Sequence, residues 1–266
     1  MPRPTHYIRR HCSKPAVLLK KQPARTETHD LLFGAKEVYE ALCSPSLQRV
    51  GNFDIACNTI PARHVSGDFV TSFEVNGSHF FALGDLMGKG LAAAMWLTHV
   101  LDLIRRCCEL SLSLPEIMQT LNREMYRSRV AVPMTSLFLM RLDPHESRLA
   151  YSCGGCPPAL LLRHDAACIT KLDRGGPILG AVEHATYSAA TIDFAPSDTL
   201  LVVSDGISEA HHSVRSEPHH EPIASHLQFS SGHSATCIVK SLLARVPQSP
   251  PMIPDDLTAL AIQRVA

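Results

Sequence analysis

Nothing in the 266 residues reads as a membrane-spanning helix, because no apolar run reaches the roughly 18 to 20 residues that a crossing needs. Net charge is missing too. The 25 Lys and Arg balance 25 Asp and Glu, which withdraws support from a global nucleic-acid or membrane-surface role. The basic start, Met1 to Arg25, has no apolar core of the kind a signal peptide carries. The nine cysteines are an odd number scattered through apolar segments, and a chain of this size needs no disulfide framework. These absences together point to the cytoplasm. No second pair of zinc-type ligands accompanies Cys153-Gly154-Gly155-Cys156. The expectation there is a turn carrying two thiols, with zinc or redox work as the alternative.

What the chain does have is organised around Asp85. Phe80 to Leu83 reads as an apolar strand with Asp85 near its end, and a turn follows in which Gly88 and Gly90 permit positive φ or a close backbone approach. From Leu91 to about Cys108 apolar residues are nearly continuous, the pattern of a buried helix. A Gly-rich strand-to-helix turn can hold phosphate. Here, however, Gly-Asp-x-x-Gly-x-Gly has neither the Gly-Lys-Ser/Thr ending of a P-loop nor the Gly-x-Gly-x-x-Gly of a dinucleotide site. A carboxylate beside a pliable backbone suits a hard cation such as Mg²⁺, Mn²⁺ or Ca²⁺. Further acids stand in similar contexts: Asp68 in Val65-Ser66-Gly67-Asp68-Phe69, Asp205 in Val202-Val203-Ser204-Asp205-Gly206-Ile207, and Asp255 in Pro254-Asp255-Asp256-Leu257-Thr258. Each adjoins an apolar strand-like run and is expected to project from a rigid sheet edge. Singly, each fits a helix cap or a turn better than a metal ligand.

In chain order these motifs resemble the PPM-type metal-dependent serine/threonine phosphatases, the protein phosphatase 2C-like superfamily, and within it the SpoIIE/RsbU branch. The resemblance runs from about residue 50 to 266 and takes in Pro61-Ala62-Arg63, Gly154, Pro157-Pro158, Gly176-Pro177-x-Leu179-Gly180 and Glu209-Ala210. It implies two Mn²⁺ or Mg²⁺ ions and a water, activated by them, that attacks the phosphorus of phosphoserine or phosphothreonine in line without a phospho-enzyme. It implies Asp68, Asp85, the backbone carbonyl of Leu86, Asp205 and Asp255 as metal ligands, Asp85 as the bridging one, with Gly88, Gly90, Gly206 and Asp256 in support. Without cations such a cluster opposes folding, because close carboxylates repel and burial disfavours their charge. The chain departs from the family pattern twice. Val70 and Thr71 stand where many relatives have an aromatic residue and an acid, and Cys153-Gly154-Gly155-Cys156-Pro157-Pro158 replaces the common Ala-Gly-His-x-x-Pro, so its His is missing. Neither change removes an implied ligand; both bear on substrate fit.

Residues 1–28 carry Arg3, Arg9, Arg10, Lys14, Lys20, Lys21 and Arg25 ahead of the first acid, Glu27, and are expected to form a disordered basic tail. Leu31, Leu32, Ala35, Val38, Tyr39 and Leu42 recur at helical spacing and predict one amphipathic helix from about His29 to Cys43. This places a connecting segment at 29–48 ahead of a phosphatase domain at 49–266. The apolar face of that helix pairs with a regulator or a second copy, or else covers the domain itself. Asn76-Gly77 signals a two-residue hairpin, and Asp143-Pro144-His145-Glu146 a second one between strands at 136–142 and 148–152. Further strands are expected at 159–163, 186–194, 200–204 and 258–265, and helices at 91–108, 114–128 and 234–245. Hairpins with clustered helices favour an α+β fold of antiparallel sheets covered by helices. The family resemblance sharpens this to a four-layer α-β-β-α sandwich. His211, His212, His219 and His220 fall in a stretch, 210–222, expected to be a solvated loop beside the site, with transition-metal binding as the alternative.

The sequence therefore reads as a cytoplasmic Mn²⁺- or Mg²⁺-dependent protein phosphatase in bacterial signalling. A STAS-like anti-sigma-factor antagonist is the substrate suggested by analogy with the branch, and neither nucleic acid nor membrane is a partner. Two readings stand against it: a non-catalytic phosphoprotein-binding module of the same fold, and a zinc or redox protein built on Cys153, Cys156 and the His-rich stretch.

Overall fold

Apolar residues occupy both faces of the central strands, and that pattern demands a packed layer on either side of each sheet. The protein, seen in a computed structural model, is described over residues 27–43, 48–63, 65–88, 91–129, 132–165, 168–212, 221–246 and 255–265. Its elements are α1 (Glu27–Cys43), β1 (Gln48–Val50), β2 (Phe53–Ile60), β3 (Asp68–Val75), β4 (Ser78–Leu86), α2 (Leu91–Glu109), α3 (Leu114–Arg127), β5 (Thr135–Asp143) and β6 (Arg148–Gly154). There follow β7 (Ala159–Arg163), β8 (Cys168–Leu172), β9 (Gly175–Gly176), β10 (Ala190–Asp193), β11 (Thr199–Val203), α4 (Asp205–His212), α5 (Glu221–Phe229), α6 (Ala235–Ala244) and β12 (Leu257–Arg264). One sheet has the order β1-β2-β12-β11-β7-β8, the other β10-β6-β5-β4-β3. Among the described residues, the short β9 alongside β6 is the one parallel pairing.

Strand parity assigns the layers. On β5, Leu137 and Leu139 face the helices, whereas Phe138, Met140 and Leu142 face the other sheet. On β12, Leu260 and Ile262 point between the sheets, while Leu257, Ala259 and Ala261 point to the opposite helical layer. The helices α1, α2 and α3 thus cover one sheet and α4, α5 and α6 the other, giving the expected α-β-β-α sandwich with an apolar core at each junction. The middle core is the aromatic one. Phe138 stacks on Tyr151 at 5.4 Å, and Phe53 meets Phe194 edge-on at 5.5 Å. Asn76 and Gly77 both have positive φ, 51° and 76°, as the two-residue hairpin between β3 and β4 requires.

Several expectations are corrected. The run 91–108 is not a fully buried helix. In α2, Ala93, Leu97, Val100, Ile104 and Cys107 form one buried face, and Met95 is 71% exposed on the other. Apolar Ala92 and Met95 on the exposed face blur the period, although the helix lies in an outer layer with solvent on one side. The strand expected at 186–194 is present over Ala190–Asp193 only. The stretch 210–222 is framed by helices, since α4 extends to His212 and α5 begins at Glu221. His219 and His220 lie outside the described residues, as do residues 1–26 of the basic tail and Gly90. No helix among the described residues is long and apolar enough to cross a membrane.

The helix α1 packs on its own domain through Tyr39 and Cys43, which join the core shared with α2 and α3. The Tyr39 hydroxyl donates to the backbone carbonyl of Asp68 at 2.8 Å. Phe33, Val38 and Leu42 on the same helix are exposed. Tyr39→Phe is expected to lower unfolding free energy by about 1 kcal/mol, the net worth of one buried hydrogen bond, and Tyr39→Ala by about 3 kcal/mol through the cavity it leaves. Urea unfolding followed by fluorescence measures both, and no loss in Tyr39→Ala would show that α1 is not docked.

Candidate metal centre

Strand register brings the first acids together. Asp68 opens β3 and Asp85 lies near the end of β4, and the antiparallel register sets them directly opposite one another. Val70 on β3, and Phe81 and Leu83 on β4, belong to the core between the sheets, so the same parity points Asp68 and Asp85 toward the inter-sheet space. From the facing sheet, β11 ends at Val203, and Asp205 follows at the start of α4. One carboxylate oxygen from each of Asp68, Asp85 and Asp205 lies within 4.8 Å of the others. Among the described residues no other group of His, Cys, Asp or Glu is gathered in this way.

Asp255 stands beside this group, not in it. Its Oδ1 accepts the amide of Asp256 at 2.9 Å, and a Cβ placed on Gly206 would lie 3.3 Å from the Asp255 Cβ. Asp256 has a scaffolding geometry. Its buried carboxylate accepts the amides of Ala62 and Gly67, each at 2.7 Å, and so ties the loop ahead of β3 to the start of β12. Ser204 closes the same corner: its hydroxyl accepts the Thr258 amide at 3.0 Å and donates to the Asp256 carbonyl at 3.4 Å.

The buried Asp68 is the electrostatic centre. Desolvation pushes its carboxyl well above the usual carboxylate range; the hydroxyls of Thr258 and Ser204 pull it back, and Asp85 and Asp256 push the same way as burial. Its Oδ2 is buried with no hydrogen-bond partner among the described residues. An orphaned carboxylate oxygen in a cluster of acids is costly unless something positive meets it.

A hard cation suits these residues. The donors are all oxygens, the chemistry that Mg²⁺ and Mn²⁺ take. A Cβ added to Gly67 would fall 2.8 Å from Asp85 Oδ1, 2.9 Å from the Leu86 carbonyl oxygen and 3.0 Å from that of Gly88, so three oxygens converge on a space that glycine leaves open. Leu86 is held there by its own amide, which donates to the Gly67 carbonyl at 3.2 Å. Gly88, with φ of 135°, adopts the backbone that its residue type was expected to permit. Gly67, Ser204, Thr258 and Tyr39 also shape the site, roles that no motif in the sequence assigns to them. Gly67 and Ser204 each directly precede an acid, a signal that was present; Thr258 and Tyr39 meet the site only through folding.

Over residues 76–265 the sequence matches the family described as Stage II sporulation protein E (SpoIIE). It is 21% identical over 175 residues to the phosphoserine phosphatase RsbU of Bacillus subtilis, covering 66% of this chain and 52% of RsbU, so the chain spans about half the length of that relative. Its fold is similar to the SiaA-PP2C domain of Pseudomonas aeruginosa, with a TM-score of 0.72 at 18% identity over 90% of this chain and 98% of the other. It is also similar to the PP2C phosphatase domain of the cell fate determinant SpoIIE from Bacillus subtilis, solved with a fragment of its regulatory domain. There the TM-score is 0.69 at 18% identity, over 82% of this chain and 64% of the other.

Asp256→Ala strips the acceptor from two backbone amides and is expected to destabilise the fold by about 2 to 4 kcal/mol, whereas Asp256→Asn, which keeps one acceptor oxygen, loses less. Urea unfolding in chelator isolates this from any metal effect; equal stability in the alanine variant would remove the tie between β12 and the loop at 62–67.

Proposed function

Since the chain belongs to the SpoIIE family, we propose that it is a divalent-cation-dependent phosphatase acting on phosphoserine or phosphothreonine in a protein. The observation that carries this reading is the meeting of Asp68, Asp85 and Asp205 within 4.8 Å, with one buried Asp68 oxygen left for a cation. Asp68, Asp85, the Leu86 carbonyl and Asp205 would hold the cations, Mn²⁺ or Mg²⁺ and two in number, with Asp255 as a further ligand beside them. Bound there, divalent cations would neutralise the carboxylates, offset phosphoryl charge and lower the pKa of a bound water to about 7. The residues of the chain orient this chemistry. Asp256 and Ser204 fix the corner from which Asp205 and Asp255 project, and Gly67 leaves the approach to Asp85 open.

The finer readings rest on likeness. Similarity to RsbU supports a phosphorylated signalling protein, an anti-sigma-factor antagonist of the STAS type, as substrate, and the balanced charge and odd number of scattered cysteines support a cytoplasmic setting. Phe33, Val38 and Leu42, exposed along α1, support pairing of the connecting helix with a regulator or a second copy, even though Tyr39 and Cys43 dock it on the domain.

Hydrolysis of para-nitrophenyl phosphate and of a phosphoserine peptide, measured with Mn²⁺, Mg²⁺ or chelator, tests the proposal. Turnover is expected only with cation, and Asp205→Asn is expected to reduce it by about 100-fold or more. Folded protein that binds Mn²⁺ by calorimetry yet turns over neither substrate would favour the binding-only module.

A further inference from the structure

The turn after β6 is built from Cys153-Gly154-Gly155-Cys156, and its two glycines are there for space. Gly155 has φ of 75°, and a Cβ on it would fall 2.7 Å from Ile178 Cα and Cβ. A Cβ on Gly154 would lie 2.9 Å from Met118 Cε. The tight reversal brings Cys153 Sγ to 2.9 Å from Cys156 Sγ, with the Cys156 carbonyl oxygen 3.2 Å from the first sulfur. A disulfide bond is about 2.05 Å long, so the sulfurs need to close by less than about 1 Å to bond.

We propose that Cys153 and Cys156 are a redox modification site, a dithiol that a peroxide-class oxidant converts to an intramolecular disulfide and a thiol reductant restores. The sulfurs differ in environment: Cys153 is buried, and Cys156 is half-buried at the edge of the core between the sheets. The hydrogen bond from Cys156 holds the Cys153 thiol below its usual range, while burial pushes the Cys156 thiol up. Of the two thiols Cys153 is therefore the more easily deprotonated, and the thiolate is the form that oxidants attack. Cys43, Cys57, Cys107 and Cys108 show only an upward shift. Burial pushes Cys43 and Cys108 up to about 12, and Cys57 and Cys107 up to about 11. A zinc role is disfavoured, since no third Cys, His, Asp or Glu ligand gathers with this pair among the described residues.

The chemistry balances with hydrogen peroxide. The Cys153 thiolate attacks one oxygen, the O–O bond breaks, and hydroxide leaves with the electron pair and takes up a proton, leaving a sulfenic acid. The Cys156 sulfur then forms the S–S bond as the sulfenic oxygen departs as water. Two thiols and one peroxide give one disulfide and two waters.

The turn sits close to the carboxylates in the hydrogen-bonded frame. Gly154 pairs with Leu137, and the adjoining Ser136 lies opposite Asp85. The Gly155 amide donates to the Gly176 carbonyl at 3.2 Å; a few residues on, Leu179 exchanges two hydrogen bonds of 3.1 Å with Thr135, which lies opposite Leu86. Closing the disulfide fixes the turn against this brace.

Trypsin cuts after Arg148 and Arg163, so the peptide 149–163 contains these two cysteines and no others. The full chain, reduced and then treated with hydrogen peroxide under native conditions, is to be unfolded, alkylated and mapped without reductant. The expected result is a peptide 149–163 that has lost two hydrogens, takes up no alkylating agent and regains two reactive thiols after dithiothreitol. In Cys156→Ser the same treatment is expected to leave a sulfenic acid at Cys153, trapped by dimedone. Recovery of both cysteines alkylated, or of Cys153 as the sulfinic acid in the unsubstituted chain, would overturn the proposal, and neither result depends on the variant folding or on phosphatase activity.

Discussion

Asp68 and Asp85 face each other across one antiparallel strand pair, and the elements around them are arranged to hold that unfavourable pairing in place. Like charges directly opposite on neighbouring strands destabilise a sheet, and burial of Asp68 aggravates the repulsion. The carboxylates do not choose this geometry; the backbone imposes it. The Asp68 amide is bound by Ser66 Oγ at 3.0 Å, its carbonyl by Tyr39, and the loop before it by Asp256. Apolar packing on both faces of each sheet supplies the free energy against which that local cost is set.

The same constraint accounts for the glycines that flank the acids. Gly84, just before Asp85, lies so close to its neighbours that a Cβ would come within 2.5 Å of both the Phe69 ring and the Ser136 carbonyl. Gly206, just after Asp205, faces the Asp256 carbonyl, which a Cβ would overlap. In both cases the backbone of a second element passes over the residue next to a carboxylate. A larger side chain would push that element, and the acid with it, away from the inter-sheet space. The Gly-Asp and Asp-Gly pairs visible in the sequence are therefore packing requirements of the site as much as turn signals.

Legibility divided along the range of the interaction. The Asn76-Gly77 hairpin and the strands β5, β6, β7, β11 and β12 could be read because their signals are local: alternation, turn residues and strand length. The helix α2 was misjudged because small and sulfur-containing residues on its solvent face imitate a core. The helices α4 and α5 were missed because His, Ser and Pro crowd the chain between them, a composition that signals a loop. The long-range ties were invisible. Asp256 reaches Gly67 across most of the chain, and no pattern in either segment announces it. Asp255, alike in sequence context to the other acids, stands outside the gathered carboxylates, a difference that its sequence context does not mark.

Why acids so far apart in sequence meet at all follows from antiparallel topology. In each sheet, neighbouring strands run in opposite directions, so at one end of the sandwich one strand begins where its neighbour stops. Asp68 opens β3 and Asp85 all but closes β4. In the facing sheet, Asp205 stands two residues past the end of β11, and Asp255 and Asp256 precede the first residue of β12. Two starts and two ends, contributed equally by both sheets, fall at the same rim. There the ladder hydrogen bonds run out, and the Leu86 carbonyl oxygen borders the space that Gly67 leaves open. A β-sandwich closed by helices on its outer faces has its inter-sheet space accessible only at such a rim. The position of a charged, oxygen-rich cluster is thus a consequence of the layering, and the chemistry is confined to the place where the apolar cores leave off.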